Sequence, residues 1–184
     1  LPLHNRSDPF QLMVCPGSAW KNKQLPFATL KSLLERISAT YEGEFLFVWG
    51  NAQEKKYCEA LHTHFSECSM VADYMPLPLL QNRMKEMGLV IAVDSLPLHL
   101  AATVGVATFS VFGPSSAKKY APQGKQHLFY QGECPYGRHF EKRCPVLRTC
   151  PTGACMSTLS AEPLFAQLTT AEQELGLQRR SKSM

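Results

Sequence analysis

Two unbroken apolar runs, residues 45–49 (FLFVW) and Leu89–Val93 (LVIAV), constrain this chain more than any other feature. A strand with one wet face alternates apolar and polar residues. A run with no alternation belongs to a strand covered on both sides, as in parallel sheets. Two further segments, Gln11–Cys15 and Ala107–Phe112, read the same way, and 69–72 reads as a short fifth strand. Between them lie helical periodicities. Pro26 opens one, with Phe27, Leu30, Leu33, Leu34 and Ile37 as its stripe. Residues 54–65 carry Cys58, Leu61 and Phe65 on one face. Leu77, Leu80, Met84 and Met87 mark a third helix, with Gly88 expected as its left-handed stop. Residues 98–104 form a fourth, short helix with Leu98 and Ala101 facing the sheet. The expected fold class is α/β: a Rossmann-like parallel sheet with helices on both faces. In such sheets ligands sit beyond the carboxyl ends of the strands, so the loops after Cys15, Trp49, Val93 and Phe112 form the expected functional rim.

The 184 residues suffice for one domain. No apolar run exceeds five residues, far below the roughly 20 of a membrane-spanning helix. The opening LPLHNRSDPF has no basic n-region followed by an apolar core, so it does not read as a secretory signal. Residues 1–10 are expected to be a linker inside a longer protein, and 11–176 the domain. Residues 115–157 are expected to be a basic, Cys-containing loop region and 177–184 a flexible tail, with a helix over 161–175 stopped by Gly176. The net charge of +4 is local: residues 118–148 hold seven Lys/Arg against two Glu. Such a cluster suits phosphate-bearing small molecules or an anionic membrane surface. It is too small to argue for nucleic acid, and it also suits a solvated loop.

Three rim segments carry candidate chemistry. After the first strand comes Pro16-Gly17-Ser18, then Lys23 and Pro26. Glycine permits close backbone approach, Ser18 offers a hydroxyl, and Lys23 precedes a helix N-terminus, where anions are favoured. A basic surface loop is the alternative. After Leu89–Val93 comes Asp94-Ser95-Leu96-Pro97-Leu98-His99. Asp94 or Ser95 is expected to cap the helix, and His99 lies off the apolar stripe, as a ligand contact or a structural histidine. Phe112-Gly113-Pro114-Ser115 reads as a turn. Of the seven cysteines, Cys15, Cys58 and Cys68 read as buried thiols. Cys134, Cys144, Cys150 and Cys155 are spaced by nine, five and four residues and lack the usual close pairs of a zinc module. No metal is therefore assigned, and reduced, packed thiols are expected over disulfides.

Taken in order, these motifs resemble glycosyltransferase family 9, the heptosyltransferases of bacterial lipopolysaccharide synthesis. The resemblance rests on P-G-S with K-x-x-P (Lys23 to Pro26), D-S-x-P-x-H-L-A-A at 94–102, F-G-P-S at 112–115, and the C-P, R-C-P and C-M pattern at 134–156. It implies one half of a GT-B fold, the C-terminal nucleotide-sugar-binding domain. Ser18, Lys23, Asp94, Ser95 and His99 would be donor-binding residues. Transfer would be inverting and metal-independent, without a cofactor, from an ADP-heptose-like donor to a lipopolysaccharide core acceptor. The general base is expected in an N-terminal domain. The implied location is cytoplasmic, with a peripheral inner-membrane surface as a further partner. The family has Gly where this chain has Leu96. It often has an acid just after the second strand, where this chain reads Gly50-Asn51-Ala52-Gln53-Glu54, leaving Glu54 as the candidate ribose contact. A degenerate nucleotide-binding or interaction module without transferase activity is the alternative.

Overall fold

The computed structural model describes residues 10–181. The expected linker lies outside the described residues except for Phe10, as do the last three residues of the tail. Six strands form one sheet, β1 (Gln11–Cys15), β2 (Glu44–Phe47), β3 (Ser69–Val71), β4 (Leu89–Val93), β5 (Ala107–Phe112) and β6 (His127–Gln131). Their spatial order is β3-β2-β1-β4-β5-β6, and every pairing is parallel. Parallel neighbours need a crossover each time, supplied by α1 (Phe27–Thr40), α2 (Ala52–His64), α3 (Leu77–Met84), α4 (Leu96–Thr103) and the single turn α5 (Ala117–Tyr120). Two further helices close the chain, α6 (Ala154–Ser157) and α7 (Ala161–Thr169).

The continuous apolar strands are read correctly as two-sided. Leu12 and Val14 of β1 face one core with Leu89, Ile91 and Val93 of β4. Met13 and Cys15 face the other with Val90 and Ala92. The first core takes its cover from α1, α2 and α7, the second from α3 and α4. Leu30, Leu33, Leu34 and Ile37 of α1 are all buried, each worth about 1.5–3 kcal/mol of transfer energy. Pro26 is the residue before α1 rather than inside its first turn.

Five expectations change. The basic loop region contains β6, a strand that pairs along the whole of β5. Its sequence HLFYQ mixes polar and apolar residues because it is an edge strand, half-exposed on its outer positions. Gly88 has no left-handed backbone. It is small because the Phe10 ring occupies the place where its Cβ would stand. The last helix ends at Thr169, and turns carry Leu175 and Leu177 into the core. The segment from 177 to 181 is not a frayed tail. Glu42 N–H donates to Gln178 O and Arg180 N–H to Thr40 O, both at 2.9 Å, and the Tyr41 hydroxyl donates to Glu172 at 2.6 Å. Finally, Cys15 and Cys58 are buried but Cys68 is only half-buried.

Candidate active site

Chain topology opens a crevice between β1 and β4. From β1 the crossovers run outward through β2 to β3, and from β4 they run the other way to β5 and β6. The loops leaving β1 and β4 therefore part to opposite faces, and a cleft of about 500 Å³ lies between them at the carboxyl ends of the strands. Ser18, Lys23, Glu54, Asp94, Ser95 and His99 all line it. Every candidate drawn from the sequence thus reaches one place.

The centre is an ion pair. A single 3-10 turn, Lys21–Lys23, holds Lys23 with only 8% of its surface exposed. Its Nζ lies 2.6 Å from Asp94 Oδ2, at the end of β4. The His99 Nε2 lies 3.7 Å from Asp94 Oδ1 and is about half exposed. Burial pushes the Asp94 carboxyl up. Lys23, the nearby Ser115 hydroxyl and the His99 ring outweigh that and hold it below its ordinary value. Asp94 is therefore an anion that holds Lys23 in place, and His99 reaches past it into the cleft.

The remaining residues are set by local geometry. Ser95 occupies the N-cap of α4 but makes no capping bond; its hydroxyl donates to Val93 O at 3.2 Å. The expected cap is thus absent, and the first amides of α4 keep their anion-binding capacity, except at Pro97. Ser18 is half-buried, and its carbonyl accepts from Gln24 Nε2 at 2.8 Å, folding the loop back on itself. Asn51 caps α2 by accepting from the amides of Gln53 and Glu54, both at 3.0 Å. Glu54 in turn accepts from Gly50 N–H at 2.7 Å. This reciprocal cap draws Glu54 back to the rim, where its carboxylate fills the space that a Cβ at Gly17 would need. Leu96 is 57% exposed beside the cleft, so it has not turned into the core.

Sequence reasoning missed the apolar wall opposite the ion pair. Trp49 and Tyr74 stand 5.7 Å apart there, and Trp49 Nε1–H donates to Ala72 O at 2.8 Å. Trp49 ends an apolar run at the functional rim, which was the available signal; Tyr74 sits in a loop with none. Ser115 was also missed as more than a turn residue. It is fully buried, and its hydroxyl faces the Asp94 carboxylate and helps to keep it an anion.

A parallel sheet in 3-2-1-4-5-6 order with a charged cleft at its switch point defines a Rossmann-like domain, as found in each half of a GT-B enzyme. The profile of glycosyltransferase family 9 (heptosyltransferase) matches residues 4–149, and the chain belongs to that family. No curated protein sequence matches it. Among solved structures it is similar to the E. coli heptosyltransferase WaaC with ADP, at 17% identity and a TM-score of 0.69, over 88% of this chain and 44% of that one. It is similar to E. coli ADP-heptose LPS heptosyltransferase II, at 15% identity and a TM-score of 0.66, over 91% of this chain and 48% of that one. A family 9 glycosyltransferase from Veillonella parvula gives 19% and 0.66, over 93% of this chain and 48% of that one. The chain therefore spans just under half the length of these relatives. Among the described residues no helix is long and apolar enough to cross a membrane.

Proposed function

We propose that residues 11–176 are the C-terminal, donor-binding half of a GT-B glycosyltransferase, taking a nucleotide-diphosphate sugar of the ADP-heptose kind. The observation that carries this reading is the meeting of Lys23 and Asp94 across the switch point, with Ser18, Ser95 and His99 around them in one cleft. The diphosphate lies against Lys23, Ser18 and the first amides of α4. The donor sugar lies toward Asp94 and His99. Glu54 meets the ribose, and the base packs on the Trp49–Tyr74 wall. The likeness to structures described as holding ADP and an ADP-heptose analogue supports the choice of donor.

The wider reading follows the family. Transfer is inverting and needs no catalytic metal. The acceptor is the lipopolysaccharide core, met at the cytoplasmic face of the inner membrane. The general base comes from an N-terminal half, and nucleic acid is not a partner. The experiment is calorimetric titration of ADP into the wild type and into Lys23→Ala. A charge-assisted hydrogen bond is worth about 1.5–3 kcal/mol, so the variant should bind at least roughly ten-fold more weakly. Equal affinity would remove Lys23 from the site. One observation favours a second reading, a degenerate module without transferase activity. The exposed Leu96 side chain stands at the first turn of α4, where a phosphate would have to approach the backbone. Under that reading ADP gives no binding heat even to the wild type.

A further inference from the structure

The 3-10 turn Lys21–Lys23 sends its side chains two ways. With three residues per turn, successive side chains leave about 120° apart. Lys23 lines the cleft, while Lys21 and Asn22 line a second groove of about 570 Å³. Trp20, which precedes the turn, lines both, so the groove opens directly beside the cleft. Its far wall is the stretch 147–153 in the loop after β6. That stretch has no helix or strand and is tied to the turn at two points. Asn22 Nδ2 donates to Leu147 O. Gly153 is left-handed, with φ of 54°, and a Cβ there would stand 2.9 Å from that of Asn22.

The lining has one chemical character. Trp20 is 39% exposed, and Phe27 and Tyr57 pack edge to face with 5.2 Å between ring centroids. Around these rings stand the amides of Gln24 and Gln53 and the hydroxyls of Thr152 and Ser157. Lys21 and Arg148 supply positive charge. Both are exposed, and neither has a carboxylate within ion-pair distance among the described residues. No Asp or Glu among the described residues lines the groove. Arg148 lies over the Trp20 ring, its guanidinium carbon 5.4 Å from the centroid. Such stacking engages one face of the guanidinium and leaves its N–H edge free to grip an oxyanion with two hydrogen bonds.

A pyranose ring presents an apolar C–H face, which an aromatic ring covers, and a rim of hydroxyls, which amide and hydroxyl side chains satisfy. An acid group on the sugar supplies the partner that the two free cations lack. We propose that this groove binds a saccharide carrying a carboxylate or a phosphate group, its ring on Trp20 and its anion on Arg148 and Lys21. Because Trp20 also walls the cleft, the bound saccharide lies beside the donor sugar, where an acidic stretch of the acceptor glycan runs. That place in the transfer reaction rests on the donor reading above; the binding itself does not.

The chain has two tryptophans, Trp20 and Trp49, and Trp49 lines the cleft but not the groove. The indole N–H signals of the isotope-labelled 184-residue chain therefore report on the two sites in one NMR titration. At millimolar concentration, glucuronate and a glucose monophosphate should move the Trp20 signal saturably and leave Trp49 in place. The tighter of the two identifies the anion that the groove prefers. Glucose should bind at least roughly ten-fold more weakly, since it forgoes the charge-assisted hydrogen bonds, and inorganic phosphate alone should leave Trp20 unmoved. Arg148→Gln should weaken the acidic sugars by the same factor of about ten and preserve the response of Trp49 to ADP. Arg148 is exposed and belongs to neither core, so the variant keeps the fold. No saturable shift of Trp20 with either acid overturns the groove. So does an equal shift with glucose or with phosphate alone, or wild-type affinity in Arg148→Gln. A Trp49 signal indifferent to ADP, with the saccharide response intact, would overturn the donor reading instead.

Discussion

Lys23 illustrates how a residue proposed to meet the donor also bears on stability. It is almost fully buried, and its only partner at hydrogen-bonding distance among the described side chains is Asp94. Replacing one member of a buried pair leaves the other charge without compensation, which costs about 3–5 kcal/mol in buried settings. Lys23→Met should therefore lower unfolding stability by about 3 kcal/mol in urea titrations, and a second change, Asp94→Asn, should restore much of it. A loss under about 1 kcal/mol would mean that solvent already screens the pair. Leu96 is the opposite case, exposed and unpaired. Leu96→Gly sacrifices no core contact and costs up to about 1 kcal/mol in helix propensity. Paired ADP titration and thermal melts should show tighter binding in a slightly less stable protein. Unchanged affinity would show that the leucine does not obstruct the site.

At the scale of elements, legibility followed burial. Strands β1, β4 and β5 were readable to the residue because a strand covered on both faces is largely apolar; in β5 the buried Thr108 and Ser110 hydroxyls find partners in β6, at His127 and Leu128 O. The edge strand β6 was not, because its polar positions face solvent and break the run. The candidate site was legible where chemistry and spacing coincided, at Ser18, Lys23, Asp94 and His99. It was illegible where only tertiary contact decides, as with Tyr74. Edge strand β6 also carries a titratable anchor. His127 is buried, its ring nitrogens meet Thr108 and Gln126, and burial lowers its pKa below the ordinary 6.5. The folded state keeps the ring neutral while the unfolded state takes up a proton. The stability linked to this ring is fully present above about pH 6.5 and is lost as pH falls through the lower folded-state value. Between pH 7 and 5, wild-type stability should thus fall more steeply than that of His127→Gln. Parallel slopes in denaturant titrations across that range (about two units around the histidine value) would show that the ring titrates alike in both states.

For the whole molecule, the decisive fact is its extent relative to its family. The described residues form one six-stranded sheet with its flanking helices, and the chain spans just under half of the solved relatives it resembles. Glycosyl transfer requires donor and acceptor held together in reacting geometry, an advantage equivalent to several orders of magnitude in rate. The 184-residue chain should accordingly fold, with one cooperative melt, and bind donor without transferring sugar. Measurable transfer to a core-oligosaccharide acceptor by this chain alone would show that one half suffices.

The pairing of Lys23 with Asp94 has a kinetic side as well. It joins positions 71 residues apart, and it can form only after β1 and β4 lie side by side. Contacts of such long range are slow to assemble, and those outside the folding nucleus act on unfolding rather than folding. The β1 loop, irregular apart from one 3-10 turn, has no local structure with which to join a nucleus early. The ion pair should therefore work as a latch on the finished sheet. In stopped-flow chevrons Lys23→Met should raise the unfolding rate and leave the refolding rate nearly unchanged, so that the residue proposed for the donor also sets how long the folded domain persists.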